Sequence, residues 1–244
     1  LARTQREAYP ASYLLFKFCR LFHRFVATVL QVTTTSFLDF FLVFEPDLLL
    51  DLLVILNPLV KLNFLRFDYS GHGVSKGRFE DGGISKWSIE ASEIFEKFKS
   101  NKNIIIGSSM GGWISLIVSK QKSNYVHGLV GIASAPDFVV GEWNRLSVEQ
   151  KKQIKSEGKI IINWDKYDED YTITYKFLED GKKNMLLTKP INISCPVRLL
   201  HGRKDQVVSF KTSEKIIELL ESKNCLLYTS PSPRDLSTSR MPSS

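Results

Sequence analysis

The alternation of apolar runs and amphipathic stretches becomes regular only after residue 60. Leu62 to Phe67 is a short, mostly apolar run that reads as a buried strand, followed by a loop at Asp68–Gly73 (DYSGHG). Residues 84–99 place Trp87, Ala91, Ile94, Phe95 and Phe98 largely at spacings of three and four, which predicts an amphipathic helix. Asn103–Ile106 predicts a second buried strand and Met110–Lys120 the helix after it. His127–Ile132 and Pro196–His201 predict two further strands, and Lys211–Glu221 another helix. Strands alternating with helices indicate a parallel sheet covered on both faces. Residues 140–186 are charged and aromatic, with helical stretches and no strong strand, so they are expected to be a helical cap inserted over that sheet.

The two ends do not share this texture. Residues 1–60 are rich in Leu and Phe and give no clean strand–turn pattern. All 14 glycines lie at or after Gly71, where average usage would place roughly five in the first 70 residues. The run from Phe37 to Val60 is apolar enough to suggest a membrane span. It carries Asp39, Glu45, Asp47 and Asp51, and Pro46 and Pro58 interrupt it. Four acids in one span would cost several kcal/mol of insertion free energy, so no membrane span is expected. The start is basic and acid-poor, with Arg3, Arg6, Lys17, Arg20 and Arg24 against Glu7 alone. That pattern is compatible with a mitochondrial transit peptide. At the other end, residues 225–235 (CLLYTSPSPRD) and 239–244 (SRMPSS) resemble the translation of a common sequencing-library adapter. The segment 225–244 is therefore expected to be a non-native tail, extended and free of core contacts. The expected organisation is an anomalous segment at 1–60, a core domain at 61–224 and the tail at 225–244, with the fold incomplete at both ends.

Composition excludes several classes. With 43% hydrophobic and 24% charged residues, the 244-residue chain is neither collagen-like nor wholly disordered. Its three cysteines, Cys19, Cys195 and Cys225, are odd in number and far apart, which argues against a disulfide framework or a cysteine zinc site. Lysine and arginine (33) exceed aspartate and glutamate (26), but the excess is spread along the chain, so no nucleic-acid partner is inferred from it.

The chemistry lies between the second predicted strand and its helix. Gly107–Gly112 (GSSMGG) holds a Gly-x-Ser-x-Gly pattern in a strand–turn–helix context. A turn that sharp needs small residues two before and two after the serine. It presents Ser109 as a candidate nucleophile at the carboxyl end of the strand, and the Met110 amide as an oxyanion donor. The alternative is a glycine-rich turn without a nucleophile, which the strand and helix on either side disfavour. A serine nucleophile needs a base and the base an orienting acid, in the chain order Ser, Asp or Glu, His. Asp205 follows the strand that ends in Leu199-Leu200-His201-Gly202, and catalytic groups collect at such strand ends. Taken alone, Asp205 would be a surface loop residue; below a nucleophile elbow it is the candidate acid. No histidine follows it. His23, His72, His127 and His201 all precede Asp205, and each has a structural reading: His72 in a glycine turn, His127 on a core strand, His201 shaping a loop. The triad is therefore expected to be incomplete.

Four segments taken together, residues 64–77 (FLRFDYSGHGVSKG), 107–112, 132–137 (IASAPD) and 199–205 (LLHGRKD), resemble the α/β-hydrolase superfamily. Within it the resemblance is to the branch of mitochondrial palmitoyl-protein thioesterases and acyl-glucuronide esterases with their bacterial relatives, over roughly residues 61–224. It implies an α/β fold, a doubly wound, mostly parallel sheet with a helical cap. It implies a serine esterase or thioesterase with Ser109 as nucleophile and Asp205 as acid, a small acyl ester or thioester as substrate, no metal or organic cofactor, and a mitochondrial location, with the cytoplasm as the alternative. A peptidase of the same fold and a non-catalytic binding protein are the competing readings. The superfamily's glycine turn that completes the oxyanion hole after an early strand has no counterpart before Gly71, which suggests a frameshift or chimeric join in the first 60 residues. Aromatic residues of the cap (Trp143, Trp164, Tyr167, Tyr171, Tyr175 and Phe177) are expected either to cover an apolar acyl group or simply to pack.

Overall fold

The computed structural model describes residues 26–32, 62–162 and 171–230. Strands β1 (Val26–Val32), β2 (Leu62–Asp68), β3 (Asn103–Ser108), β4 (Val126–Ile132), β7 (Val197–Gly202) and β8 (Cys225–Ser230) form one sheet in the order β2-β1-β3-β4-β7-β8. β3, β4, β7 and β8 run parallel, while β1 lies antiparallel between β2 and β3. Helices α2 (Met110–Gln121) and α6 (Phe210–Leu219) pack on the sheet, and α1 (Ile84–Phe98) packs against α2.

The helices form where their apolar spacing requires it. Ile84, Trp87, Ala91 and Phe95 on α1 are buried, while Ile94 and Phe98 are not. α2 has no polar face. Every residue from Met110 to Ser119 is buried, because this helix runs through the interior between the sheet, α1 and the cap. Side chains alternate between fully and partly covered along β3 and β7, as expected for strands with elements on both faces.

Two expectations fail here. Neither terminal segment was expected to supply a strand, yet Val26–Val32 pairs along its whole length with β2, and Cys225–Ser230 pairs along all of β7. Cys225 and Leu227 also pack against the core, so the tail is not free of contacts over its first six residues. The physical reason is the open edge of β7, whose unpaired amides and carbonyls accept a short strand of Cys, Leu, Leu and Tyr. The remainder of 1–60 and the segment from 231 on lie outside the described residues.

The insertion after β4 contains α3 (Phe138–Arg145), α4 (Val148–Glu157) and α5 (Tyr175–Lys183). It also contains an antiparallel pair, β5 (Lys159–Ile162) with β6 (Tyr171–Thr174), where no strand was expected. Gly158 ends α4 in the left-handed region (φ 79°). Three isoleucines follow it, a β-branched run that cannot extend the helix comfortably.

Candidate active site

The turn between β3 and α2 is held in an unusual conformation. Ser109 has φ 51° and ψ −120°, a region that costs a non-glycine residue on the order of 1–3 kcal/mol. Its own backbone holds it there. The Ser109 amide donates to the Ile132 carbonyl at 2.9 Å, and the Ser109 carbonyl accepts from Gly112 and from Ala135, each at 3.0 Å. Two of these bonds reach across to the end of β4, so the elbow is fixed by its neighbouring strand. Gly107 is required for the same reason: a Cβ there would collide with Ser115 Oγ and the Gly111 carbonyl. Met110 is the first residue of α2, and the first helical amides have no intrahelical acceptor. The half-buried Ser109 thus sits beside an amide that needs a partner.

Strain continues at the end of β4. Ala133 (φ 42°) and Asp137 (φ 62°) are, with Ser109, the non-glycine residues at positive φ among the described residues. All three lie at the carboxyl ends of adjacent parallel strands, where sites in open α/β sheets collect. Asp137 closes this region. Its two carboxylate oxygens accept the amides of Leu186 and Leu187, each at 2.8 Å, which pins the end of the insertion to the sheet. Burial pushes the Asp137 carboxyl above its ordinary pKa, and the two amides pull in the other direction. Sequence reasoning missed this role, although the Ala135-Pro136-Asp137 turn after a strand was visible.

Asp205 lies just past the end of β7. With β4 between β3 and β7, the ends of those two strands are about 10 Å apart, too far for a direct serine–aspartate bond. Asp205 Oδ1 accepts the Val207 and Val208 amides at 2.8 and 3.0 Å. Burial opposes the Asp205 charge, but the His201 ring and these amides outweigh it and hold the carboxyl below its ordinary value. His201 Nε2 stands 3.6 Å from Oδ2, too long for a hydrogen bond, so the amides are the direct donors. A carboxyl with its pKa lowered by folding contributes stability above the unfolded value of about 3.9, and that contribution is lost as pH falls through the lower folded value. The difference in Tm between the parent chain and Asp205→Asn should therefore hold steady from neutral pH to about 5 and shrink below about 3.9. A difference that grows with acid would contradict the assignment.

Three of the four histidines are placed. His201 is buried, with Nδ1 2.7 Å from Ser213 Oγ and Nε2 3.0 Å from the Val208 carbonyl. A carbonyl only accepts, so Nε2 carries the hydrogen and the ring is engaged on both sides. His72 is buried among Tyr69, Phe79 and Trp87, with ring centroids 5.8, 5.3 and 4.7 Å away. His127 is exposed and sits at the amino end of β4, the opposite end of the strands from Ser109. His23 lies outside the described residues.

The insertion is bolted down at its far end. Asp180 Oδ2 accepts the Ser85 amide at 2.8 Å and Oδ1 its hydroxyl at 2.6 Å, capping α1 from another element. Phe177 is buried against Phe79, Trp87 and Phe138. For that residue the packing reading holds. Trp143, Tyr171 and Tyr175 are half-buried in the cap, and Trp164 and Tyr167 lie outside the described residues. Among the described residues, no helix is long and apolar enough to cross a membrane.

No family model matches the chain. It is 36% identical over 156 residues to palmitoyl-protein thioesterase ABHD10, mitochondrial, of Homo sapiens, a match covering 63% of this chain and 51% of that protein. The chain spans about half the length of the curated relatives it matches. Among solved structures, alpha/beta hydrolase domain-containing protein 10 from mouse superposes with a TM-score of 0.67 at 29% identity, over 75% of this chain and 73% of that one. A putative hydrolase from Agrobacterium vitis S4 superposes with a TM-score of 0.68 at 31% identity, over 77% of each chain.

Proposed function

The chain belongs to the α/β-hydrolase superfamily, with its similarity to the palmitoyl-protein thioesterase branch, and on that premise we propose that it is built as a serine esterase or thioesterase. The observation that carries the reading is Ser109, a strained non-glycine residue at a strand–helix elbow beside the first amide of α2. In the proposed reaction the Ser109 oxygen attacks the acyl carbon and a histidine takes its proton. The Met110 amide donates to the developing oxyanion, and Asp205 orients the histidine. The alkoxide or thiolate leaves with that proton, and water then attacks the acyl-enzyme to release the acid and free Ser109.

We propose that the base is the part these residues do not supply. No histidine follows Asp205, and the rings of His72, His127 and His201 are placed for other work. We therefore propose that these 244 residues alone hydrolyse esters no faster than background. That engagement of the histidines favours a second reading, a hydrolase-like protein that binds acyl ligands without cleaving them. By likeness to the named relatives, we propose palmitoyl thioesters as the first substrate to try and the mitochondrion as the location. The test is hydrolysis of a palmitoyl thioester, with an aminoacyl amide in parallel, by the chain before and after a histidine-bearing segment is joined beyond β8. Cleavage of the thioester only after joining supports the serine hydrolase. No cleavage after joining favours the binding protein, and a preference for the amide favours a peptidase.

A further inference from the structure

The folded chain gathers cations that look scattered in the sequence. Lys182 Nζ on α5 lies 4.9 Å from the centroid of the Trp143 ring on α3, and Lys155 and Lys151 Nζ on α4 lie at 5.4 and 5.6 Å. Trp143, Lys151 and Lys182 are each half-buried and Lys155 is exposed, so ammoniums from two helices gather around the partly covered Trp143 ring of a third. A lysine stacked on an indole is ordinary at an exposed site. Three ammoniums around one ring repel one another, and Lys151 and Lys155 are a like-charge pair one helical turn apart, itself unfavourable. Among the described residues one acid answers them: Glu179, 2.7 Å from Lys182 Nζ. Lys151 and Lys155 have no carboxylate within ion-pair distance among the described residues. The ammoniums and the indole N–H are all donors. The partner that matches such a cluster is an acceptor with several oxygens and more than one negative charge.

We propose that the junction of α3, α4 and α5 binds a compact phosphate-bearing anion, the pyrophosphate or phosphomonoester group of a small molecule. The oxygens of such a group can take a charge-assisted hydrogen bond from each lysine at once, relieving the repulsion among them. The inference rests on these side chains and stands whether or not Ser109 is a nucleophile.

The probe is inorganic pyrophosphate, titrated calorimetrically into the 244-residue chain at low ionic strength, with vesicles of anionic and of neutral phospholipid as separate arms. Saturable binding at or below about 1 mM is expected, weakened by added salt. The double variant Lys151→Glu/Lys155→Glu alters half-buried and exposed positions on α4. It should keep its circular dichroism and Tm and bind at least tenfold more weakly, while Lys97→Glu on α1 binds as the parent does. Absence of saturable heat, or equal affinity in the double variant, would overturn the proposal. So would binding to anionic vesicles that pyrophosphate does not compete away.

Discussion

Hydrolysis of a palmitoyl thioester should rise by about 10³-fold or more when a histidine-bearing segment is joined beyond β8, and return to background when Ser109 is then replaced by alanine. The geometry gives the reason. β8 runs parallel to β7, with Ser230 opposite Gly202, so the chain leaves β8 at the sheet edge that carries Ser109 and Asp205. A ring placed there can enter the gap left by β4 between the two strand ends. Ser109→Ala in the joined chain removes the nucleophile and leaves the elbow's backbone bonds in place, so Tm should not move. A joined Ser109→Ala chain that still cleaves the thioester would refute the nucleophile. A 244-residue chain already as fast as the joined one would refute the missing base.

Local signals made the elbow legible. Gly107, Ser109 and Gly111 are punctuated by a buried strand and a buried helix, and steric demand at such a turn leaves few other residues. The place of Asp205, though not its role, was legible for a similar reason, as the first acid past a strand end. Asp137 and Asp180 were not, because their partners stand 49, 50 and 95 residues away and no periodicity records a buried carboxylate reaching a distant amide. β1 and β8 were missed because pairing is a property of the strand next door. Nothing between Val26 and Val32 announces that β2 and β3 will leave room for it, and the prolines after Ser230 drew attention away from the four apolar and aromatic residues before them. The lysines around Trp143 come from two helices far apart in sequence, and only their convergence gives the charge a meaning.

Trp113→Ala should be the most damaging single substitution for stability, at about 3–5 kcal/mol. The residue is wholly buried on α2, one turn after Ser109, and its ring meets Phe138 edge to face at 5.7 Å. Its indole N–H donates to the Asn184 carbonyl at 3.1 Å. Asn184 in turn donates through Nδ2 to Ser85 Oγ and to the Asp180 carbonyl, each at 2.7 Å. One side chain therefore fastens the elbow helix to the end of the cap and to the start of α1. Truncation leaves a cavity that α2, buried on all sides, cannot collapse to fill, and it leaves the Asn184 carbonyl without a donor. For a chain of this size each kcal/mol moves Tm by about 2–4 °C, so the expected fall is roughly 6–20 °C. Trp113→Phe keeps a six-membered ring but loses the five-membered ring and its N–H, so it should cost about 1–3 kcal/mol, less than Trp113→Ala. Trp143→Ala, at a half-buried cap position, should cost less than Trp113→Ala. Thermal unfolding followed by circular dichroism orders the three. If Trp143→Ala proved the worst, the cap and not α2 would be what holds this fold together.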